Sequence, residues 1–120
     1  MVYTIEEIKN LVAPIIRKYN IPAMFLFGSY ARGEADENSD LDFLVDTYGT
    51  TLTSLIKLGA LYCDLEELFG KHIDLLTVSS ITQESMMPSD VEFKKAVIEE
   101  LIQLNWSLTK FQKSVLSRRS

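Results

Sequence analysis

Three short apolar runs constrain this chain more than anything else in it. AMFLF at 23–27, LDFLVD at 41–46 and HIDLLTV at 72–78 are too short for packed helices, and Pro22, Gly28, the DENS segment and Gly70 bound them. Such runs read as buried strands. The segments between them carry a helical period instead. Thr4 followed by Glu7 has the form of a capping box. Ile5, Ile8, Leu11, Val12, Ile15 and Ile16 then recur on one face, which predicts a helix over 4–19 with a kink expected at Pro14. A short helix is predicted over 29–35, opening at Ser29, and a loop over 36–39. A longer helix is expected over 51–69, ended by Gly70. Residues 79–90 read as a polar loop. A last helix is expected from Ser89 or Asp90 to about Ser107, packing Val91, Phe93, Ala96, Val97, Leu101, Ile102 and Leu104. Helices alternating with strands imply one small α/β layer structure over 1–107, followed by a basic tail over 108–120.

A chain of 120 residues, 47% of them hydrophobic, can bury a core without covalent staples. Its single cysteine, Cys63, permits no internal disulfide, which points to a reducing, cytoplasmic setting. Cys63 lies in a helical pattern and is expected to be buried or half-buried. No apolar run approaches the roughly 20 residues that span a bilayer, and the first residues lack the form of a signal peptide. The net charge is −5, yet Lys110, Lys113, Arg118 and Arg119 cluster at the end, leaving an acidic body. That body disfavours a broad nucleic-acid surface, which needs clustered positive charge. The basic end is expected to be frayed and solvated.

The chemistry concentrates in FGSYARGEADENSDLDFLVD, residues 27–46. Asp40 and Asp42 stand two apart at the start of a strand, so their side chains project to one face. Two adjacent carboxylates repel, and each tends to keep a proton. A divalent cation removes that conflict, and magnesium favours carboxylate oxygens while keeping positions open for water and phosphate. Asp74, in the middle of the third run, supplies a third carboxylate if the second and third strands are neighbours. Upstream, Gly28-Ser29 lies between a strand and a helix start, where unpaired amides suit phosphate. The Ser29 hydroxyl can cap the helix or hold a phosphate oxygen, and Arg32, one turn on, can neutralise phosphate charge. Two cations in such a site activate the attacking oxygen and stabilise the leaving one. Each piece has a plainer reading: Asp-x-Asp is usually a solvated turn, Gly-Ser a simple cap, and Asp74 a hydrogen-bonded strand residue. The combination, in this order and between strands, is much more specific. His72 shares a strand face with Asp74, though a packed or surface histidine is the commoner case. Tyr30 fits the core and a nucleotide pocket about equally, and Trp106 and Phe111 suit either the core or an interface.

Gly28-Ser29-Tyr30-Ala31-Arg32-Gly33, followed by Ser39-Asp40-Leu41-Asp42 and a strand ending in Val45, resembles the signature of the nucleotidyltransferase superfamily related to DNA polymerase β. More narrowly it is similar to the minimal (MntA-like) nucleotidyltransferases that pair with HEPN-domain toxins. The resemblance extends to about residue 107. It implies a small mixed sheet flanked by helices, with Mg²⁺ as cofactor and ATP as nucleotide donor. It implies that Asp40 and Asp42 ligate metal, and that Asp74 ligates metal and helps deprotonate the acceptor hydroxyl. Gly28 and Ser29 would meet the triphosphate, with Arg32 and Ser39 on the same nucleotide side. Larger members grip their acceptor with a second domain, for which this chain has no room, so a protein that brings its own surface is the acceptor expected. In the minimal pairs that acceptor is a tyrosine of a HEPN-type RNase toxin, silenced by adenylylation. The apolar final helix permits a homo- or hetero-oligomer. Two other readings stay open. One is a binding module that neutralises its partner by contact alone. The other is a metal-dependent glycosyltransferase, which leaves the Gly-Ser segment unexplained.

Overall fold

The computed structural model describes residues 2–52, 54–78, 95 and 97–105. Helix α1 (Ile5–Tyr19) opens with the expected capping box. The Thr4 hydroxyl accepts the Glu7 N–H at 3.1 Å, and the Glu7 carboxylate accepts the Thr4 N–H at 2.9 Å. The helix continues through Pro14 and stops at Asn20, which adopts the left-handed conformation at φ 54°. Strand β1 (Ala23–Phe27) leads directly into α2 (Gly28–Arg32), then β2 (Leu41–Asp46), α3 (Leu55–Phe69), β3 (Ile73–Thr77) and β4 (Ile102–Gln103).

The sheet runs β3-β2-β1-β4 and is mixed. β1 pairs antiparallel with β2 and with β4, whereas β2 and β3 are parallel neighbours connected through α3. β1, β2 and β3, the mixed sheet and helices α1 to α3 match expectation in kind, whereas β4 does not. Alternation along the strands sorts the sheet into two faces. Leu41, Phe43 and Val45 of β2, Met24 and Leu26 of β1 and Ile73 of β3 are buried with Ile8 and Val12 of α1 and with Leu61, Leu65 and Phe69 of α3. Phe27 and Leu44 form a smaller cluster with Val97, joined by the half-buried Leu76. Asp42 and Asp74 fall, by the same alternation, on this second side. Among the described residues, no helix is long and apolar enough to cross a membrane.

Several boundaries differ from expectation for identifiable reasons. α3 begins at Leu55 rather than near 51, because Ser54 caps it and accepts the Lys57 N–H at 3.2 Å. Just upstream, the Thr50 hydroxyl bonds the Thr47 carbonyl and the Leu52 amide, a local turn that competes with helix. Cys63 is exposed, not buried. The buried stripe of α3 is Leu61, Leu65 and Phe69, and residue 63 lies off it. α2 is shorter than expected; Gly33 ends it at φ 73°.

The largest departure concerns the last predicted helix. Residues 97–100 are helical, but Ile102 and Gln103 form β4 and pair with Leu26 and Phe25 of β1. The spacing of Val97, Leu101 and Leu104 fits a helix, yet without β4 the outer edge of β1 would keep unpaired amides and carbonyls. Asn105 extends that ladder with its side chain. Its Oδ1 accepts the Met24 N–H at 3.3 Å and its Nδ2 donates to the Pro22 carbonyl at 2.8 Å. Asn105→Ala is expected to lower stability by about 1–2 kcal/mol, as for a lost pair of half-buried hydrogen bonds. Urea denaturation checks this, and an unchanged midpoint would show that water replaces the amide without loss. The expected 79–90 loop, the start of the last helix, Trp106, Phe111 and the basic tail lie outside the described residues.

Candidate functional site

Strand register brings the aspartates together. β2 and β3 run parallel with Asp42 opposite Asp74, and Asp40, just before β2, is near enough for its charge to act on Asp42. Oxygens of Asp40 and Asp74 and a ring nitrogen of His72 all lie within 4.8 Å of one another. His72 Nδ1 stands 3.4 Å from Asp40 Oδ2. The third carboxylate, Asp42, is half-buried. Asp42 and Asp74 border a shallow cleft of about 210 Å³ whose other walls are Phe27, Leu75 and Leu76.

These surroundings set the charge state of Asp42. Burial against the apolar walls pushes its pKa up to about 7, helped by a hydrogen bond with Asp74 and by the charges of Asp74 and Asp40. Arg32 pulls the other way, less strongly. A carboxylate that resists ionising beside two others is the conflict a divalent cation relieves. The hard oxygen donors of Asp40 and Asp74, both exposed, with Asp42 hydrogen-bonded to Asp74 beside them, fit such an ion, and the His72 nitrogen completes the cluster with a donor that also suits transition metals.

The Gly28 turn comes next to this cluster because Phe27, the last residue of β1, pairs with Asp42. Gly28 adopts φ +74°, and a Cβ there would stand 2.1 Å from Asp42 Oδ2. Glycine is therefore required twice, for its conformation and for the space. α2 receives no side-chain cap: Phe27 occupies the N-cap position, and Ser29 lies inside the helix. The Gly28 N–H is satisfied from far along the chain, donating to Glu100 Oε1 at 2.9 Å. The other Glu100 oxygen accepts from Arg32 Nη1 at 2.9 Å, and Arg32 Nε also meets Glu34 at 3.2 Å.

Of the residues singled out in the sequence, Gly28, Asp40, Asp42 and Asp74 thus converge, with Arg32 close enough to act on Asp42. Ser39 is engaged within its own loop. Its hydroxyl accepts the Asp36 N–H at 2.9 Å and pairs with the Asp36 carboxylate at 3.2 Å. Tyr30 belongs to the core, 4% exposed, with its ring near Lys71. Glu100 carries no signal in the sequence. It sits in an IEEL segment that looks like a solvated helical face, and only the fold places it beside Gly28.

The nucleotidyltransferase domain family matches residues 8–104. The chain belongs to this family. Among nucleotidyltransferases of known name, a Methanocaldococcus jannaschii relative, MJ0435, provisionally named a protein adenylyltransferase, is 46% identical over 77 residues, covering 64% of this chain and 81% of its own. The protein adenylyltransferase MntA of Thermococcus cleftensis is 38% identical over 82 residues, covering 65% of this chain and 81% of its own. A crystal structure of a toxin–antitoxin with AMP-PNP superposes with a TM-score of 0.62 at 21% identity, over 92% of this chain and 82% of that one. At that identity the match shows the fold alone. A solved structure provisionally named a minimal nucleotidyltransferase, 28% identical, superposes with a TM-score of 0.58 over 83% of this chain and 95% of that one, and the fold is that of the polymerase β-like nucleotidyltransferases.

Proposed function

We propose that this nucleotidyltransferase moves AMP from ATP to a tyrosine hydroxyl of a partner HEPN-type RNase toxin and so acts as its antitoxin. The observation that carries the chemistry is the Asp42–Asp74 register with Asp40 beside it, next to a glycine turn built for close approach. That the acceptor is a protein is supported by the relatives, named as protein adenylyltransferases, and that it is a toxin by the toxin–antitoxin fold match; the HEPN type and the tyrosine come from the motif resemblance.

In this reading Asp40, Asp42 and Asp74 would hold Mg²⁺, which would supply charge neutralisation for the triphosphate and its leaving group. Ser29 and Arg32 receive the triphosphate, and Gly28 leaves it room. Ser39 shapes the loop that presents Asp40. The acceptor oxygen attacks the α-phosphorus, a new P–O bond forms, and the bond to the β-phosphate bridging oxygen breaks. Asp74 takes the hydroxyl proton, and pyrophosphate leaves with the electron pair of the broken bond. Asp74 is the exposed member of the central pair and so the one an acceptor hydroxyl reaches, whereas Asp42 is half-buried.

The test is intact-mass spectrometry of a HEPN-domain protein, sought among those encoded beside this chain, after incubation with this chain, ATP and Mg²⁺. A mass gain of one or more AMP units, mapped to tyrosine, is expected. A tight complex that silences the RNase with no mass gain would replace this reading by a binding module. Neither complex nor mass gain would discard the HEPN protein as the acceptor.

A further inference from the structure

We infer that Glu100 is a positioning residue of the active site, bracing the Gly28 turn, and through it Asp42, from the far end of the chain. The inference rests on the reaction proposed above. One carboxylate spans two groups of the site: Oε1 takes the Gly28 N–H and Oε2 takes the Arg32 guanidinium, both at 2.9 Å. Each bond is charge-assisted, hence short and directional. The Gly28 amide is the first of α2, and neither the helix nor the Phe27 N-cap satisfies it. Glu100 does, and its side chain is only 19% exposed where that of Arg32 is 45% exposed. The carboxylate is thus the more shielded partner in this contact.

What it braces follows from the geometry of Gly28. The glycine lies so close to Asp42 that no Cβ fits between them. Gly28 is therefore the wall against which the Asp42 carboxylate rests. If the turn is free to shift, Asp42 gains room and the three-aspartate arrangement loses definition. The brace itself is anchored. Two residues beyond Glu100, Ile102 pairs with Leu26 of β1, and Leu104 N–H bonds the Met24 carbonyl at 2.8 Å. β4 thus closes the sheet edge and also delivers a carboxylate to the active site.

Glu34 provides an internal control. It is the second carboxylate on Arg32, it is exposed, and its side chain meets Arg32 rather than Gly28. Glu34→Gln removes the same charge from the same neighbourhood without touching the turn. Glu100→Gln keeps the shape and size of the side chain, so the fold is expected to persist. Glu100→Asp keeps the charge but is one methylene too short to span both donors.

The experiment measures transfer kinetics and Mn²⁺ binding by electron paramagnetic resonance, without nucleotide, on the full chain. Glu100→Gln and Glu100→Asp are each expected to lower kcat and weaken Mn²⁺ binding about tenfold or more, as for groups that orient metal ligands. Glu34→Gln is expected to stay within about twofold of wild type. Wild-type values for both Glu100 variants would overturn the inference. So would an equal loss in Glu34→Gln, which would make the effect one of charge alone. A lower KM for ATP with unchanged kcat in Glu100→Gln would also overturn it, because the carboxylate would then be a competitor for the phosphate site. A wild type that binds Mn²⁺ but transfers nothing would sink the proposed reaction only, and the Mn²⁺ titrations would still decide the role of Glu100. A wild type that binds no Mn²⁺ would overturn both.

Discussion

Asp42→Asn will make the metal-free protein more stable at pH 8 and at the same time cut nucleotidyl transfer about a thousandfold. Both effects come from one cause. In the folded chain Asp42 keeps its proton up to about pH 7, against the ordinary value of 3.8. Between those values the folded state binds more protons than the unfolded state, so stability falls as pH rises through that window. Above it, the folded protein carries a carboxylate packed between burial and two like charges. Asparagine fills the same volume without that charge. The expected gain is about 1–2 kcal/mol once screening by water at this half-buried site is allowed for. It should appear as a higher melting temperature at pH 8 that shrinks toward pH 4.

Saturating Mg²⁺ should reverse the order. The cation stabilises whichever protein binds it, by an amount set by its concentration over Kd, and on the proposed role of Asp42 the variant lacks a ligand. The thousandfold loss of transfer corresponds to about 4 kcal/mol of transition-state stabilisation, within what a metal ligand contributes. Thermal melts across pH, with and without Mg²⁺, and initial rates of AMP transfer check both halves. Equal melting curves at pH 8 would mean that Asp42 is not strained by its neighbours. An active variant would mean that Asp42 does not hold the metal.

The three carboxylates were legible in the sequence because strand periodicity is local. An apolar run with Asp at alternate positions fixes which face the aspartates share. Only one topological assumption, that β2 and β3 are neighbours, was needed to join Asp74 to them. The parallel pairing with α3 as crossover meets it. What could not be read depends on contacts between distant residues. β4 forms because β1 has an open edge, a requirement that nothing in residues 97–104 records; their own spacing favours helix. Glu100 inherits the same difficulty, since it gains its partners only when β4 docks. Ser29 offers a cap or a phosphate contact from its place after glycine; the capping half does not hold, because the helix starts one residue earlier and takes its acceptor from Glu100. Cys63 was misplaced for a different reason: an apolar pattern on nearly every side of α3 hides which stripe packs.

Gly28→Ala and Gly33→Ala form a pair that separates backbone strain from site geometry. Both glycines adopt nearly the same conformation, φ +74° and +73°. An alanine at either position carries the left-handed penalty of about 1–2 kcal/mol. Around Gly33 a Cβ meets nothing within 4 Å, whereas at Gly28 it would stand 2.1 Å from Asp42 Oδ2 and 2.8 Å from its carboxyl carbon. Overlap of that size forces the turn or the carboxylate to move. If the turn moves, the Gly28 amide leaves Glu100; if the carboxylate moves, Asp42 leaves Asp74. Gly33→Ala is therefore expected to melt lower but to retain transfer within about threefold, its cost being the strain alone. Gly28→Ala is expected to lose at least a hundredfold in kcat, as for an ångström-scale displacement of a reacting group, and to bind Mn²⁺ more weakly. Comparable activity in the two variants would place the glycine requirement in the backbone alone and remove Gly28 from the site. A hundredfold difference between them, at similar loss of stability, ties the rate to the contact between Gly28 and Asp42.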